Sequence, residues 1–166
     1  MTKLKDFLTR LNEEDEVEVD KIEAPETEEK PEDFSVSKTG FHTDIEKDTV
    51  DNKNYRKILF TGTHLQLGLM SIEPGKDVGK EVHPDTDQFF RVDGGSGEAL
   101  IGGKRYPLKN GDVVVIPAGS EHNITAGEKG IKLYTIYAPP HHKDKVIHKT
   151  KEEAEADKTD KPPVGE

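Results

Sequence analysis

Gly75-Lys76-Asp77-Val78-Gly79-Lys80-Glu81-Val82-His83-Pro84-Asp85-Thr86-Asp87, followed further on by Gly111-Asp112-Val113-Val114-Val115-Ile116-Pro117-Ala118-Gly119-Ser120-Glu121-His122, decides the fold of this chain. Glu81 and His83 stand two residues apart, and on an extended strand such residues face the same side. Asp87 opens the next strand-like run and can turn back towards them, while His122 can close the set from a distant strand. Two imidazoles and two carboxylates converging from three strands form a first shell for a divalent ion such as Mn, Fe, Ni or Zn, with positions left open for water or substrate. The same carboxylates buried without a cation would repel one another, which would raise the pKa of at least one.

Around these segments run short apolar or alternating stretches separated by Gly, Pro, Asn and Asp. The pattern predicts strands over residues 56–61, 64–72, 77–83, 88–93, 97–101, 104–108, 112–116, 122–125 and 131–137, hence an all-β sandwich or barrel. Turn chemistry falls at Glu73-Pro74-Gly75, Gly94-Gly95-Ser96-Gly97, Gly102-Gly103, Lys109-Asn110-Gly111 and Ala126-Gly127-Glu128, where hairpins need it. The glycines from Gly94 to Gly103 precede no helix, so they read as hairpin turns rather than a phosphate cradle.

The two quoted segments resemble the motifs of the cupins, Gly-x5-His-x-His-x3-Glu-x6-Gly and Gly-x5-Pro-x-Gly-x2-His-x3-Asn. Gly75, His83 and Gly94 keep the spacing of the first, and Gly111, Pro117, Gly119 and His122 keep that of the second. The resemblance implies a double-stranded β-helix, a jelly-roll barrel, over about residues 55–140, with metal-ligand positions at Glu81, His83, Asp87 and His122. It covers roughly half the chain and is specific for fold. Glu81 replaces the first His of the motif, Asp87 replaces its Glu, and Ala126 stands where the second motif has Asn. Two carboxylates would neutralise a divalent ion that three imidazoles and one carboxylate leave positive, which predicts a weaker Lewis acid. Asp87 is one methylene shorter than Glu, so it ligates directly, through a water, or not at all. In the last case a bulge could bring in Gln88 as the ligand instead. Glu81-Val82-His83-Pro84-Asp85 also resembles the Gln-x-His-Pro-Asp run of phosphomannose isomerases, which are zinc cupins.

Outside the barrel the composition changes. The 166 residues carry a net charge of −10, with only 31% apolar and 35% charged residues, and residues 1–33 alone hold 13 acidic against 5 basic groups. Leu4, Phe7, Leu8 and Leu11 sit at helical spacing ahead of this acidic run, giving residues 1–54 the character of an amphipathic helix and flexible acidic arm. Residues 141–166 read as a polar C-terminal tail containing a short helix capped by Thr150, with His141, His142 and His148 as tail residues. An acidic arm argues against nucleic acid or an anionic membrane as partner. Cysteine is absent, which excludes disulfides, thiolate ligands and a cysteine nucleophile. With no signal-like apolar run and no segment of membrane-spanning length, the expectation is a soluble cytoplasmic protein, and Asn123-Ile124-Thr125 is then a chance sequon.

Further pocket residues follow from strand parity: Arg91 shares parity with Asp87 and either holds an anionic substrate group or pairs with Asp93 or Glu98 at the barrel mouth. Gln66 shares a face with Met70, and at least one of Tyr134 and Tyr137, on opposite faces of the last strand, should line the cavity. The expected function is a metal-binding cupin enzyme acting on a small polar molecule, with sugar or sugar-phosphate isomerisation suggested by the isomerase-like run. One alternative is a non-haem metal dioxygenase, since two His and a carboxylate resemble the iron triad. The other is a non-catalytic module that binds or senses a small molecule. Cupins commonly pair through sheet edges and exchanged arms, which implies a homodimer.

Overall fold

The computed structural model describes residues 37–161, so the Leu4–Leu11 stripe, the acidic run after it and the final Pro-rich residues lie outside the described residues. The elements are α1 (Ile45–Asp51), β1 (Arg56–Thr61), β2 (Gln66–Ile72), β3 (Asp87–Ile101), β4 (Lys104–Lys109), β5 (Val113–Ile116), β6 (His122–Ala138), β7 (Ile147–His148) and α2 (Lys151–Ala156). One antiparallel sheet runs β4-β3-β6-β2-β1-β7, with β5 paired to the free side of β3. β3 carries β5 along its first half and β4 along its second, while β6 lines its other side throughout. This pairing rolls the sheet into the jelly-roll barrel expected from the motifs.

Where two hairpin turns are expected, at residues 94–97 and 126–128, β3 and β6 instead continue as strands of 15 and 17 residues. The ladder between them shifts register at Val92/Gly94 and at Gly95/Gly97. These bulges bend both strands without ending them. Gly95 has φ +73°, and a Cβ there would overlap the Gly130 carbonyl oxygen. The glycines thus mark close backbone approach inside a ladder, a demand that looks in sequence just like a turn. The expected strand over residues 77–83 is reduced to two bridges, Asp77 to Thr125 and Glu81 to His122, because Gly79 between them adopts φ +90°.

Interior parity places Ile58, Met70, Phe90, Val92, Ile116, Ile124 and Leu133 in the core, each no more than 2% exposed. Each such side chain contributes about 1.5–3 kcal/mol by leaving water. One end of the interior is polar instead, lined by Gln66, Gln88, Thr135, Tyr137, His83 and His122. The metal-ligand candidates belong to that end.

Two segments read as arm and tail pack on the barrel. α1 is capped by Asp44, buries Thr49 and is tied to β6 by Lys132 Nζ, which donates to the carbonyls of Val50 and Asn52 at 2.5 and 2.6 Å. Beyond β6, the chain leaves through a cis Ala138–Pro139 bond and returns to β1. His142 and His148, read as tail residues, are buried: His142 Nδ1 pairs with Asp160 Oδ2 at 2.9 Å, and His148 Nε2 with Asp157 Oδ2 at 3.0 Å. Polar residues that satisfy one another can be buried without any apolar signal in the sequence, which is why this stretch reads as a solvated tail. α2 forms as expected, with Thr150 Oγ1 accepting from Glu153 N. Among the described residues no helix is long and apolar enough to cross a membrane.

Candidate metal centre

The bridge between Glu81 and His122 is closed by two backbone hydrogen bonds of 2.9 Å, one in each direction, so the two residues stand directly opposite each other. His83 follows on the same side as Glu81, and its carbonyl accepts from Gly119 N at 2.8 Å, tying the first motif to the turn that precedes His122. The result brings one ligand atom each from Glu81, His83 and His122 within 4.8 Å of one another. Glu81 Oε2 lies 3.4 Å from His83 Nε2 and 3.9 Å from His122 Nε2.

The protonation pattern suits a cation. His122 Nδ1–H donates to the Ser120 carbonyl at 2.9 Å, which fixes the tautomer and leaves the Nε2 lone pair facing Glu81. Burial holds the His122 pKa below the ordinary imidazole value, against the opposing pull of Ser120 and Glu81. Burial also works against ionisation of Glu81, but His83, Arg56 and His122 outweigh it and keep the carboxyl below its usual value. Nε2 of His83 and Nε2 of His122 are both buried without a hydrogen-bond partner. Leaving two such buried ring nitrogens unpartnered would cost about 1–3 kcal/mol each, whereas a divalent ion would engage both and the carboxylate as well. The residues therefore fit a metal ion.

Asp87 does not join this group. Its side chain points outward, and Oδ1 accepts from Ala118 N at 2.8 Å, bracing the loop of the second motif. Gln88 faces inward instead, fully buried, with Nε2 donating to Thr135 Oγ1 at 3.2 Å and Oε1 unpartnered. The strand begins one residue out of phase with an inward Asp87, because Gln88, Phe90 and Val92 hold the inner parity. For the same reason Arg91 faces out and forms an ion pair with Asp93 at 3.1 Å. Of the two tyrosines, Tyr137 is inside, 1% exposed, with its ring 6.2 Å from that of His83, while Tyr134 packs against Phe89 on the outer face. Burial pushes the Tyr137 hydroxyl up to about 12, so it stays protonated.

Gln66 is fully buried but serves the chain rather than the cavity: Nε2 donates to Thr61 Oγ1 and to the His142 carbonyl, and Oε1 accepts from the N–H groups of His141 and His142. Two residues near the centre escaped the sequence reading. Arg56, 7% exposed on β1, lies 3.6 Å from Asp160 and helps keep Glu81 ionised. It shares inner parity with Ile58, a signal that was legible. His141, read as a tail residue, has its ring 4.1 Å from that of His83. Burial, with help from His83 and His142, lowers its pKa to about 4, so it is neutral near pH 7. A surface cleft of about 300 Å³ lies elsewhere, between Gly75, Lys76, Asp77 and α2, where Lys151 is already paired with Asp77 at 2.8 Å.

Comparison with known proteins agrees with the fold and the motifs. The family pattern described as a cupin domain matches residues 68–137. The chain is 40% identical over 123 residues to the YrkC protein of Bacillus subtilis (strain 168), covering 70% of this chain and 66% of that protein. It is also 40% identical over 103 residues to the L612 protein of Acanthamoeba polyphaga mimivirus, covering 59% and 64%. The aligned stretch is thus slightly under two thirds of each relative's own length. The crystal structure of BH2720 from Bacillus halodurans is similar at 39% identity with a TM-score of 0.71, over 72% of this chain and 96% of that one. The chain belongs to the cupin superfamily.

Proposed function

We propose that this protein is a metal-dependent cupin enzyme, that Glu81, His83 and His122 hold its divalent ion, and that it acts on a small polar molecule. The observation that carries this reading is the pair of buried, unpartnered Nε2 atoms facing an ionised carboxylate. A bound ion supplies Lewis acidity and open coordination positions to a substrate. The chain's own contribution is to fix those donors: Ser120 orients His122, the two-bond bridge holds Glu81 opposite it, and the buried Tyr137, protonated, sets its ring edge-on to that of His83. Arg56 balances the negative charge that Glu81 and Asp160 place near the polar end of the barrel.

Imidazoles with a single carboxylate suit non-haem metal oxygenase chemistry, and the carboxylates near the centre favour that reaction class over sugar isomerisation. An isomerase of the expected kind needs a carboxylate free to move a proton. Here Asp87 is occupied with Ala118 and Glu81 belongs to the donor group. Elemental analysis of untagged protein, after loading with Mn, Fe, Ni or Zn, should give close to one ion per chain, lost in His122→Ala. The Fe(II)-loaded protein should consume oxygen with a small phenolic substrate. Absence of any bound metal in the wild type would sink the metal reading, and turnover of a sugar phosphate without oxygen uptake would replace the oxygenase by the isomerase.

A further inference from the structure

Past the cis Ala138–Pro139 bond and Pro140, the chain places two consecutive imidazoles in different roles. His142 turns away to pair with Asp160 at 2.9 Å. His141 turns towards the centre, with its ring 4.1 Å from that of His83 and stacked 5.8 Å from that of Tyr137. Its position is not left to a loose loop. Gln66 Oε1 accepts the backbone N–H groups of both His141 and His142 at 3.2 and 2.9 Å, and Gln66 Nε2 donates to the His142 carbonyl at 2.8 Å. A buried side chain on β2 thus fixes the turn that presents the His141 ring.

We propose that His141 is a fourth ligand of the centre, so that the ion is held by one carboxylate and three imidazoles. The inference rests on the metal-site reading above and deepens it. The His141 ring stands beside the group formed by Glu81, His83 and His122, in contact with His83. Neither of its ring nitrogens has a hydrogen-bond partner among the described residues, although His142 and His148 each have a carboxylate. Three imidazoles thus gather next to one carboxylate, two of them with a buried, unpartnered Nε2, and a shared cation gives all of these groups one partner. The charge consequence reverses the expectation from the motifs. With Asp87 outside and His141 inside, a divalent ion keeps a net charge of +1 instead of being neutralised, so the centre is the stronger Lewis acid.

The test uses the metal-free full chain and Co(II) and Cu(II) as probes. His141→Phe keeps a ring against Tyr137 and His83 while removing both nitrogens. The expected result is Co(II) binding weaker by about 10-fold or more, together with loss of one imidazole-nitrogen coupling in the pulsed EPR spectrum of the Cu(II) protein. Unchanged affinity and an unchanged number of couplings overturn the proposal, and the same readouts apply to His141→Gln if His141→Phe does not fold. His122→Ala separates the two readings. If it abolishes Co(II) binding while His141→Phe leaves it intact, only the fourth ligand falls; if the wild type binds neither probe, the metal centre itself falls.

Discussion

Replacing Gln66 by leucine keeps the apolar bulk at the polar end of the barrel but removes every hydrogen bond that anchors the return of the chain after β6. Gln66 is fully buried and engages four groups: Thr61 Oγ1, the His142 carbonyl, and the N–H groups of His141 and His142. The His141 N–H is only part-buried and can find water, and the Thr61 hydroxyl can rotate. The His142 N–H and carbonyl are buried and have no such escape. At about 1–3 kcal/mol for each buried group left unsatisfied, the two together should cost about 3 kcal/mol. Equilibrium urea unfolding of the full chain reads this directly. The midpoint should fall by about 1–2 M with an unchanged slope, since the same surface is exposed on unfolding. A loss below about 1 kcal/mol would mean that the 139–143 turn rehydrates without penalty, and the account of Gln66 as its anchor would be wrong.

Gly95→Ala places a methyl against the Gly130 carbonyl oxygen at a φ of +73°, so it should cost about 4 kcal/mol or more; a melting temperature within a few degrees of wild type would show that the bulge can open. Acid should weaken the metal-free protein before its carboxylates titrate. Burial holds His141 and His142 below the ordinary imidazole value of 6.5, His141 at about 4. As pH falls the unfolded chain therefore takes up protons first, and stability is full above about 6.5 and is lost progressively towards about 4. After solvent screening at the partly exposed His141 ring the loss between pH 7 and 5 should be about 1–2 kcal/mol, measured as urea midpoints at pH 7, 6 and 5. A constant or rising midpoint would contradict the neutral, buried imidazoles.

The barrel itself and the convergence of three of the four candidate ligand residues were legible in the sequence. Glu81 and His83 at a spacing of two, and His122 behind a Pro-x-Gly turn, are constrained by strand parity and by a motif that must make the same turn wherever it occurs. Asp87 was not decidable in this way, because a shift of one residue at the start of β3 exchanges Asp87 for Gln88 on the inner face, and only the packing of Phe90 and Val92 fixes that phase. The same phase sent Arg91 outward.

Sequence by itself determined the elements whose signals are local: the strands with alternating apolar residues, the Thr150-capped helix, and the two cupin motifs. Tertiary structure alone decided whatever depends on residues far apart in the chain. Gly94–Gly97 and Ala126–Glu128 look like turns, yet they form bulges in two long strands because each lies against the other's backbone. His142 and Asp160 look like tail residues, yet their side chains are covered because each supplies what the other lacks. His141 meets His83 only because Gln66, on a strand that precedes both, holds the chain's return in place. A polar side chain carries no signal of burial until its partner is known, and that partner is fixed by the fold rather than by its neighbours in sequence.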